Sequence, residues 1–408
     1  MPLRRLLLLL FTFAAVTGLA VASPASAGRA FATGQQRNLF AELLGKSDAE
    51  VQAKIDAAWH QFFYGDDKAQ RIYYPVGADM AYIADIGNGD VRSEGMSYGL
   101  MLAVQLDKRA EFDRLWKWAK TYMYHADGPR RGYFAWQCRF DGTQIDPGSA
   151  SDGEEWMATA LLFAANRWEP KPGSIDYADE AQALLDAMRR SDRDGGITAI
   201  FNAKQKQVVF APNAEASGIT DPSYHLPFFY ELWARWDRTE EGRHFWSACT
   251  VESRAFFHRA AHPKTGLMPE YAHFDGRPVE GERGDFRYDA WRTLAHVAID
   301  HAWFGIDPWQ QEQSNRVLRF LRSQGSFVSD RYTLDGKSVS TDGSIGLTAM
   351  AAVAGLASAP ELARPFVQEL WDAPIPSGQW RYYNGLLYAL GLLEAGGQFK
   401  IILPPSGK

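Results

Sequence analysis

The 408-residue chain is 46% hydrophobic and 23% charged, so it can bury a large core in one big domain or two ordinary ones. Its net charge is -6 and it has no basic tract, which gives no indication of a nucleic-acid partner or of an anionic membrane surface. Aromatic residues make up 13% of the chain. At this density Trp and Tyr form either core or flat platforms for sugar rings.

The N-terminus is typical of an export signal. Arg4 and Arg5 precede an apolar run, Leu6–Ala22, and the small residues at 23–27 offer an A-x-A cleavage site. An uncleaved anchor is the alternative, because the run approaches the ~18 residues needed to cross a bilayer. We predict a signal peptide at 1–27, one mature domain at 28–408, and a periplasmic or extracellular protein that contacts no membrane after cleavage.

The two cysteines, Cys138 and Cys249, add little to this picture. An exported protein can form a disulfide, but one pair cannot be the framework of a domain this large, and the sequence does not place the two within bonding reach. We expect them to be free or to form a single disulfide.

Apolar periodicity after the signal predicts about twelve helices. The first is capped by Asp48 and continues through Phe62, and a loop rich in Tyr, Gly and Asp follows at 64–90. Strand signal is weak and predicts one small hairpin, from Ile197–Phe201 and Gln207–Phe210. The other predicted helices cover 94–106, 110–124, 152–168, 177–190, 223–236, 241–261, 287–304, 307–324, 344–358, 360–372 and 381–396.

The predicted helices come in pairs joined by turns. Six antiparallel pairs close naturally into a double-layered toroid, in which alternate helices form an inner ring of mutually parallel helices. The predicted fold class is therefore all-α with a minor β-hairpin. In this arrangement the N-termini of all inner helices lie at one end of the toroid.

Five of the six predicted inner helices begin with an acid. Capping by Ser151 or Asp152, with the following glutamates complementing the helix dipole, explains acids at such positions. It explains the nearby aromatic residues Trp136 and Tyr224 less well, and the loops before these helices are the longest in the chain. We therefore predict an acidic, aromatic cleft. The helix starts are Ser93-Glu94-Gly95, Asp152-Gly153-Glu154, Asp221-Pro222-Ser223-Tyr224, 287–292, Asp342-Gly343-Ser344 and Arg381-Tyr382-Tyr383.

Two carboxylates facing each other across such a cleft suit hydrolysis of a glycosidic bond, one as acid and one as base or nucleophile. Glu94 heads an apolar helix, and burial there would raise its pKa as a general acid requires. Asp289 has Arg287 and Arg292 near it, the latter at i+3, and these charges would hold it ionised. Tyr224 could orient a water molecule.

Two other kinds of chemistry receive little support. Gly95-Met96-Ser97-Tyr98-Gly99 matches the G-x-S-x-G elbow of serine hydrolases, but that motif needs a strand that turns sharply into a helix above a parallel sheet. No H-E-x-x-H or C-x-x-C cluster occurs in the sequence. We expect neither a metal nor another cofactor.

The stretch from Ala150 to Leu161, with Trp168 further on, resembles the signature of glycoside hydrolase family 8, A-[ST]-D-[AG]-D-x-x-[IM]-A. Glu154 stands where the signature usually has Asp. The other segments that resemble the family extend the match over about residues 35 to 400. They are Val91–Gly99, Asp221–Pro227, Phe286–Arg292 and Arg381–Tyr383.

This resemblance implies an (α/α)6 barrel that hydrolyses β-1,4-linked glycans with inversion of configuration. By matching position, Glu94 would be the general acid and Asp289 the general base. Asp152 would bind and help distort the sugar beside the scissile bond, while Tyr224 and Arg292 would hold the attacking water and the base. The family's chitosanase branch lacks the aspartate base, so Asp289 argues against that substrate. We expect a monomer whose partner is a β-1,4-linked oligosaccharide or polysaccharide, with Trp136, Tyr382 and Tyr383 also in the binding site.

Within the family, the segments around Asp152 and Tyr224 are most similar to the reducing-end xylose-releasing exo-oligoxylanases. Those enzymes close one end of the cleft with a Leu-His-Pro loop, where this chain has Asp342-Gly343-Ser344. An endo-β-1,4-xylanase or endo-β-1,4-glucanase with an open cleft is therefore the alternative. A catalytically inactive carbohydrate-binding barrel, and a barrel with lyase or epimerase chemistry, are the remaining hypotheses.

Overall fold

The computed structural model describes residues 30–171, 173–325 and 329–405. The predicted signal peptide at 1–27 lies outside these residues. None of the helices in the described ranges combines the length and the apolar character that crossing a membrane requires. The α-helices are α1 Ala30–Thr33, α2 Leu39–Leu44, α3 Asp48–Tyr64, α4 Ser93–Gln105, α5 Arg109–Trp118, α6 Ser151–Arg167, α7 Tyr177–Arg189, α8 Pro227–Trp236, α9 Glu240–Ala260, α10 Arg292–Trp303, α11 Trp309–Ser323, α12 Ile345–Ala354, α13 Pro360–Asp372 and α14 Arg381–Ala395.

The even-numbered helices from α4 to α14 form an inner ring. Helix α4 packs against α6, α10 against α8 and α12, and α14 against both α12 and α4. Between α6 and α8 the Trp233 indole donates a hydrogen bond to the Thr159 hydroxyl at 3.0 Å, and the Trp156 and Phe229 rings meet edge to face. The odd-numbered helices from α3 to α13 pack outside this ring. The predicted (α/α)6 barrel is confirmed, and α1 and α2 are additions to it.

Burial follows the two layers. Twelve of the 13 residues of α4 and 13 of the 17 residues of α6 are buried, as expected of helices that are enclosed by others. The outer helices are amphipathic: α11 buries Val317, Leu318 and Leu321 on one face and exposes charged side chains on the other. The inner helices can therefore be told from the outer ones, because an outer helix is hydrophobic on one face only.

Ser47, not Asp48, caps α3. The Ser47 hydroxyl accepts a hydrogen bond from the Glu50 amide, and the Glu50 carboxylate accepts one from the Ser47 amide at 2.9 Å. This reciprocal capping box satisfies two backbone donors, whereas the predicted Asp48 cap would satisfy one. The helix therefore begins with Asp48 as its first helical residue.

Two predicted inner helices are divided near their starts. The predicted helix 223–236 is a 3-10 turn, Pro222–Tyr224, followed by α8, because Pro227 disfavours helical backbone at the residue before it and suits the first turn of a new helix. The predicted helix 287–304 is likewise a 3-10 turn, Tyr288–Trp291, that leads into α10. Both turns place side chains at the same end of the barrel.

Short strands lie in the loops at that end. The segment 64–90 was expected to be a loop without strands, but β1 Tyr73–Val76 and β2 Met80–Ile83 pair antiparallel within it. A three-stranded sheet joins the loops before α4 and α6. The predicted hairpin forms with only two residues in each strand. These strands are β3 Val91–Arg92, β4 Gln137–Cys138, β5 Gln144–Asp146, β6 Phe201–Asn202 and β7 Gln207–Val208.

Cys138 and Cys249 are both free, and both are buried. Cys138 lies in β4 and Cys249 in the outer helix α9. Burial raises the pKa of each thiol, as expected for a thiol in apolar surroundings.

Candidate active site

The starts of the inner helices meet in one cleft with a volume of about 1420 Å³. Its wall includes side chains from the starts of α4, α6 and α14, from the turns before α8 and α10, and from the segment just before α12. Asp221 is an exception, since it is buried and caps that turn by accepting the Ser223 amide at 2.7 Å. The predicted residues in the wall are Glu94, Trp136, Asp152, Tyr224, Asp289, Tyr382 and Tyr383.

Arg292 joins three of the carboxylates from beneath the cleft. Its side chain is 2% exposed; Nη1 lies 3.2 Å from Glu94 Oε2 and 2.9 Å from Asp152 Oδ2. The same nitrogen donates to the Tyr98 hydroxyl, and Nη2 lies 3.2 Å from Asp289 Oδ1. A planar guanidinium holds several acceptors in a fixed geometry, which an ammonium cannot do. One side chain therefore sets the relative positions of acids from α4, α6 and the turn before α10.

The pKa of Glu94 is shifted further from its usual value than that of Asp152 or Glu270, two other acids of the cleft wall. Its side chain is 17% exposed, and the Tyr382 hydroxyl donates to Oε1 at 3.1 Å. Burial raises the pKa of Glu94 to about 8, the nearby charges of Asp152 and Asp289 raise it further, and Arg292 opposes them. Near neutral pH this carboxyl therefore keeps its proton, which a general acid requires.

Two glycines permit these close approaches. A Cβ at Gly95 would lie 2.5 Å from the Tyr382 ring and 2.6 Å from its hydroxyl. A Cβ at Gly153 would lie 2.7 Å from the Ser93 hydroxyl. Neither glycine has a positive φ, so packing rather than backbone conformation requires them. Gly95, which follows Glu94, thus lets α14 come close to α4. Gly153, which follows Asp152, lets α4 come close to α6.

Asp289 lies in a strained turn. Tyr288, just before it, has a φ of +35°, which is unfavourable for a residue other than glycine. The Tyr383 hydroxyl lies 3.3 Å from the Tyr288 carbonyl and 3.4 Å from Asp289 Oδ1. The Asp289 side chain is 23% exposed and pairs with Arg292. The expected pairing with Arg287 is wrong: Arg287 Nη1 instead lies 2.7 Å from the exposed Glu282 carboxylate.

Asp152 does not cap α6. The capping position is Ala150, without a side-chain hydrogen bond, because the Asp152 carboxylate is drawn to Arg292 instead. Among the described residues Asp152 Oδ1 has no hydrogen-bond partner. Burial raises the pKa of Asp152 to about 6, and Arg292 lowers it. A buried acceptor without a partner in the wall of a cleft is a candidate for binding a ligand hydroxyl.

Glu154 and Glu155, expected to complement the helix dipole, are fully buried and hold neighbouring segments instead. Glu154 accepts the Phe134 amide at 2.9 Å and so fixes the segment that leads to Trp136. Burial raises the pKa of Glu154 to about 8. Glu155 contacts the Tyr230 hydroxyl, and this hydroxyl lies 3.0 Å from the Tyr224 carbonyl oxygen. These two acids connect α6 to the aromatic wall of the cleft.

The other two aromatic residues predicted for the site, Tyr224 and Trp136, both contact neighbouring side chains or backbone. Tyr224 is 5% exposed; its ring stacks on Phe210, and the Arg292 guanidinium carbon lies 5.6 Å from the ring centroid. The Trp136 amide donates to the Gly148 carbonyl at 2.7 Å, and the Arg92 guanidinium carbon lies 5.6 Å from the Trp136 ring centroid. Both rings are thereby fixed in the wall of the cleft.

Several residues of the wall were not predicted from the sequence. Glu270 is 1% exposed and lies 2.6 Å from Arg283 Nη1, and burial raises its pKa to about 7. Tyr271 follows it, and Trp380 immediately precedes α14. All lie in the long loops that were predicted to build a site, but no periodicity or spacing distinguishes them there.

The G-x-S-x-G match lies inside a helix. Ser97 is buried in α4, and its hydroxyl donates to the Glu94 carbonyl at 2.7 Å, so it is not presented as a nucleophile. Within the described ranges no group of three or more His, Cys, Asp or Glu side chains is arranged to hold a metal ion.

A double ring of helices with carboxylates and aromatic rings at one end defines the class of (α/α)6-barrel enzymes that act on carbohydrates. The family described as "Glycosyl hydrolases family 8" matches residues 83–397. The chain belongs to this family and is a glycoside hydrolase.

Relatives cover nearly the whole chain. The reducing-end xylose-releasing exo-oligoxylanase Rex8A of Paenibacillus barcinonensis is 44% identical over 378 residues, 91% of this chain and 98% of that protein. A reducing end xylose-releasing exo-oligoxylanase of Halalkalibacterium halodurans is 41% identical over 380 residues, 92% of this chain and 96% of that protein. The xylohexaose complex of a catalytic mutant of a family 8 xylanase from Teredinibacter turnerae has a TM-score of 0.89 and 43% identity, and covers 92% of this chain and 100% of that one.

Proposed function

We propose that this protein hydrolyses β-1,4-linked xylo-oligosaccharides with inversion, and that it releases xylose from the reducing end. The observation that carries the chemistry is the placement of Glu94 and Asp289 on two nitrogens of one buried guanidinium, that of Arg292. The substrate class and the reducing-end mode are supported by the names of the two relatives above, which cover more than nine tenths of this chain.

In the proposed reaction Glu94 gives its proton to the glycosidic oxygen as the bond between that oxygen and the anomeric carbon breaks. Asp289 takes a proton from a water molecule whose oxygen attacks the anomeric carbon from the opposite face. Arg292 Nη2, 3.2 Å from Asp289 Oδ1, holds this carboxylate in place. Tyr224 orients the water, and the unpartnered Oδ1 of Asp152 accepts a hydrogen bond from a sugar hydroxyl. Proton exchange with solvent then restores both carboxyl groups.

The first experiment replaces the two proposed reacting groups. Glu94→Gln and Asp289→Asn should each lower kcat on xylohexaose by about 10³-fold or more, since each removes a proton transfer. Glu215→Gln is a matched control, because Glu215 is an exposed acid in the wall of the same cleft. Activity retained by a folded Glu94→Gln protein would overturn the assignment. NMR of the first product should show the α-anomer, as inversion at a β-linkage requires.

One observation favours a second mode, internal cleavage. Asp342, Gly343 and Ser344 line the cleft where the reducing-end exo-enzymes have Leu-His-Pro. The Asp342 side chain is 76% exposed, and the Ser344 hydroxyl turns to the Gly346 amide at 3.1 Å to cap α12. Short side chains at this point leave room for a longer substrate.

A product time course on reducing-end-labelled xylohexaose separates the two modes. Early release of labelled xylose alone is the result expected of the reducing-end mode. A spread of xylobiose to xylotetraose would establish internal cleavage, and preference for cellohexaose in a parallel assay would establish a glucanase.

The processing of the chain is part of the same proposal. We propose that residues 1–27 are removed on export and that residues 28–408 act as one monomeric domain outside the cytoplasm. N-terminal sequencing of the exported protein should give residue 28 as the first. Light scattering should give the mass of one chain, and a dimer mass would contradict the monomer.

A further inference from the structure

Arg381 is a buried charge at the first residue of α14. It is 1% exposed, and within the described residues every hydrogen bond of its guanidinium goes to a backbone carbonyl. The acceptors are the carbonyls of Gly378 at 2.7 Å, Arg71 at 2.8 Å, Asp67 at 3.0 Å and Lys68 at 3.4 Å. Removing a guanidinium from water is costly, and an apolar side chain would avoid that cost. This arrangement therefore indicates a purpose beyond stability.

The hydrogen bonds of Arg381 join two segments that are far apart in the chain. Three of the acceptors lie in the segment 67–71, which follows the outer helix α3, and the fourth lies just before α14. The Gly378 amide donates to the Ala69 carbonyl at 2.7 Å and so closes the same junction. Trp380, the capping residue of α14, makes no side-chain hydrogen bond to the helix. The start of this inner helix is thus tied to the outer layer around one guanidinium.

The two residues after Arg381 reach the two proposed reacting groups. The Tyr382 hydroxyl donates to Glu94 Oε1 at 3.1 Å. The Tyr383 hydroxyl lies 3.4 Å from Asp289 Oδ1. Two consecutive side chains on one helix start therefore contact both carboxyl groups, and a displacement of that start would alter both contacts at once.

The contact of Tyr382 matters most when the charge on its partner changes. As Glu94 gives up its proton in the proposed reaction it becomes negative, and a hydroxyl that already points at it stabilises this charge. A misplacement of about 1 Å in such a site can cost about 10²-fold in rate. An anchor of the helix start thus affects the reaction although its own hydrogen bonds go to neither carboxyl group.

We propose that Arg381 is a positioning residue: by holding the start of α14 on the segment 67–71, it keeps Tyr382 on Glu94 and Tyr383 beside Asp289. This inference rests on the proposed hydrolysis and extends it to a residue that is not part of the cleft wall. Lysine should not replace Arg381, because an ammonium on a flexible stem lacks the planar fork that holds several carbonyls at once.

The test is a double-mutant cycle on kcat with xylohexaose. Arg381→Lys should lower kcat about tenfold, and Tyr382→Phe alone should do the same, since each removes one hydrogen bond to the acid. In the Arg381→Lys protein, Tyr382→Phe should lower kcat further by less than about threefold, because the hydroxyl has already left Glu94. Tyr383→Phe is combined with Arg381→Lys in the same way. A merely structural arginine would lower stability and leave both tyrosine effects at full size.

Arg254→Lys is the matched control. Arg254 is also a buried arginine, 9% exposed, but its guanidinium binds Asp300 and Glu231 away from the cleft wall. This variant should melt at a lower temperature and keep kcat within about twofold of the wild type, and Tyr382→Phe should retain its full effect in it.

Gly378→Ala gives a second route to the same junction. Gly378 has a φ of +80°, which alanine rarely adopts, so this change moves the carbonyl that Arg381 binds and leaves the charge in place. It replaces Arg381→Lys in the cycle if that protein does not fold, and it should couple to Tyr382→Phe in the same direction.

Wild-type kcat in folded Arg381→Lys, or losses that simply multiply in the cycle, would overturn the proposal. If the wild type hydrolyses no xylo-oligosaccharide, the proposed function fails, and crystal structures then decide the positioning role. In Arg381→Lys, or in Gly378→Ala where the first does not fold, the Tyr382 hydroxyl should lie more than about 3.5 Å from Glu94 Oε1. A contact unchanged from the wild type would overturn the role of Arg381.

Discussion

Arg292 Nη1 lies 3.2 Å from Glu94 Oε2, although the two residues are 198 positions apart in the chain. The same guanidinium reaches Asp289 and Asp152. We predict that Arg292→Lys lowers kcat by about 10²-fold, since an ammonium cannot span these acceptors and small misplacements of reacting groups are costly. Steady-state kinetics measure the loss of kcat, and a thermal melt checks that the variant is folded. Tyr98→Phe is the control, because it removes a neutral partner of the same nitrogen and should have a far smaller effect; equal losses would contradict the assignment.

Activity should fall as the pH rises above about 8, which is the upper limb of the pH–rate profile. The pKa of Glu94 is raised to about 8, chiefly by burial, and the proposed acid works only while it keeps its proton. As pH rises through this value the carboxyl ionises and kcat/KM should fall about tenfold per pH unit. A pH–rate profile on xylohexaose tests this. An upper limb below pH 6 would show that another group limits the reaction.

The same raised pKa predicts that Glu94 destabilises the fold at high pH. The folded state binds a proton at Glu94 up to about pH 8, whereas the unfolded state releases it near 4.5. The free energy of unfolding therefore decreases as pH rises across this window, by about 3 kcal/mol between pH 5 and pH 8. Glu94→Gln lacks this titration. Urea unfolding of both proteins should show the variant gaining stability relative to the wild type as pH rises; a constant difference would contradict the prediction.

Much of the site could be predicted from helix order alone. Once alternate helices are inner and parallel, the starts that contain Glu94, Asp152 and Asp289 must lie at one end, and the structure places them there. The contacts that set the geometry of these three acids could not be predicted from helix order. Arg292 was placed beside Asp289 by its i+3 spacing, but its contact with Asp152 joins residues 140 positions apart. Single-chain periodicity contains no information on such pairs.

Local rules failed where a tertiary contact competed with them. Asp152 was a reasonable cap for α6, yet its carboxylate pairs with Arg292. Strands of two to four residues, such as Tyr73–Val76, are too short to show an alternating pattern. Trp380 lies one residue before the predicted helix start Arg381-Tyr382-Tyr383, and nothing in the neighbouring sequence indicates that its side chain is exposed.

Below the cleft, the two contacts of the Tyr230 hydroxyl predict that Glu155 is protonated. Its hydroxyl has one proton, but both Glu155 Oε1 and the Tyr224 carbonyl lie within hydrogen-bond distance. Both contacts are satisfied only if Glu155 is protonated and donates to the Tyr230 oxygen. Burial, the largest cause, raises the pKa of Glu155 well above its usual value, which agrees. Glu155 would then hold Tyr224 in place as a neutral acid.

Glu155→Gln should therefore keep kcat within about threefold of the wild type, because the Gln amide also donates to the Tyr230 oxygen. Glu155→Ala, which leaves the Tyr230 oxygen without this donor and opens a cavity, should lose about tenfold or more in kcat and about 2 kcal/mol in stability. Kinetics and urea unfolding of both variants and of Tyr230→Phe measure this. A Gln variant as impaired as the Ala variant would show that Glu155 is ionised and that Tyr230 donates to it instead of to Tyr224.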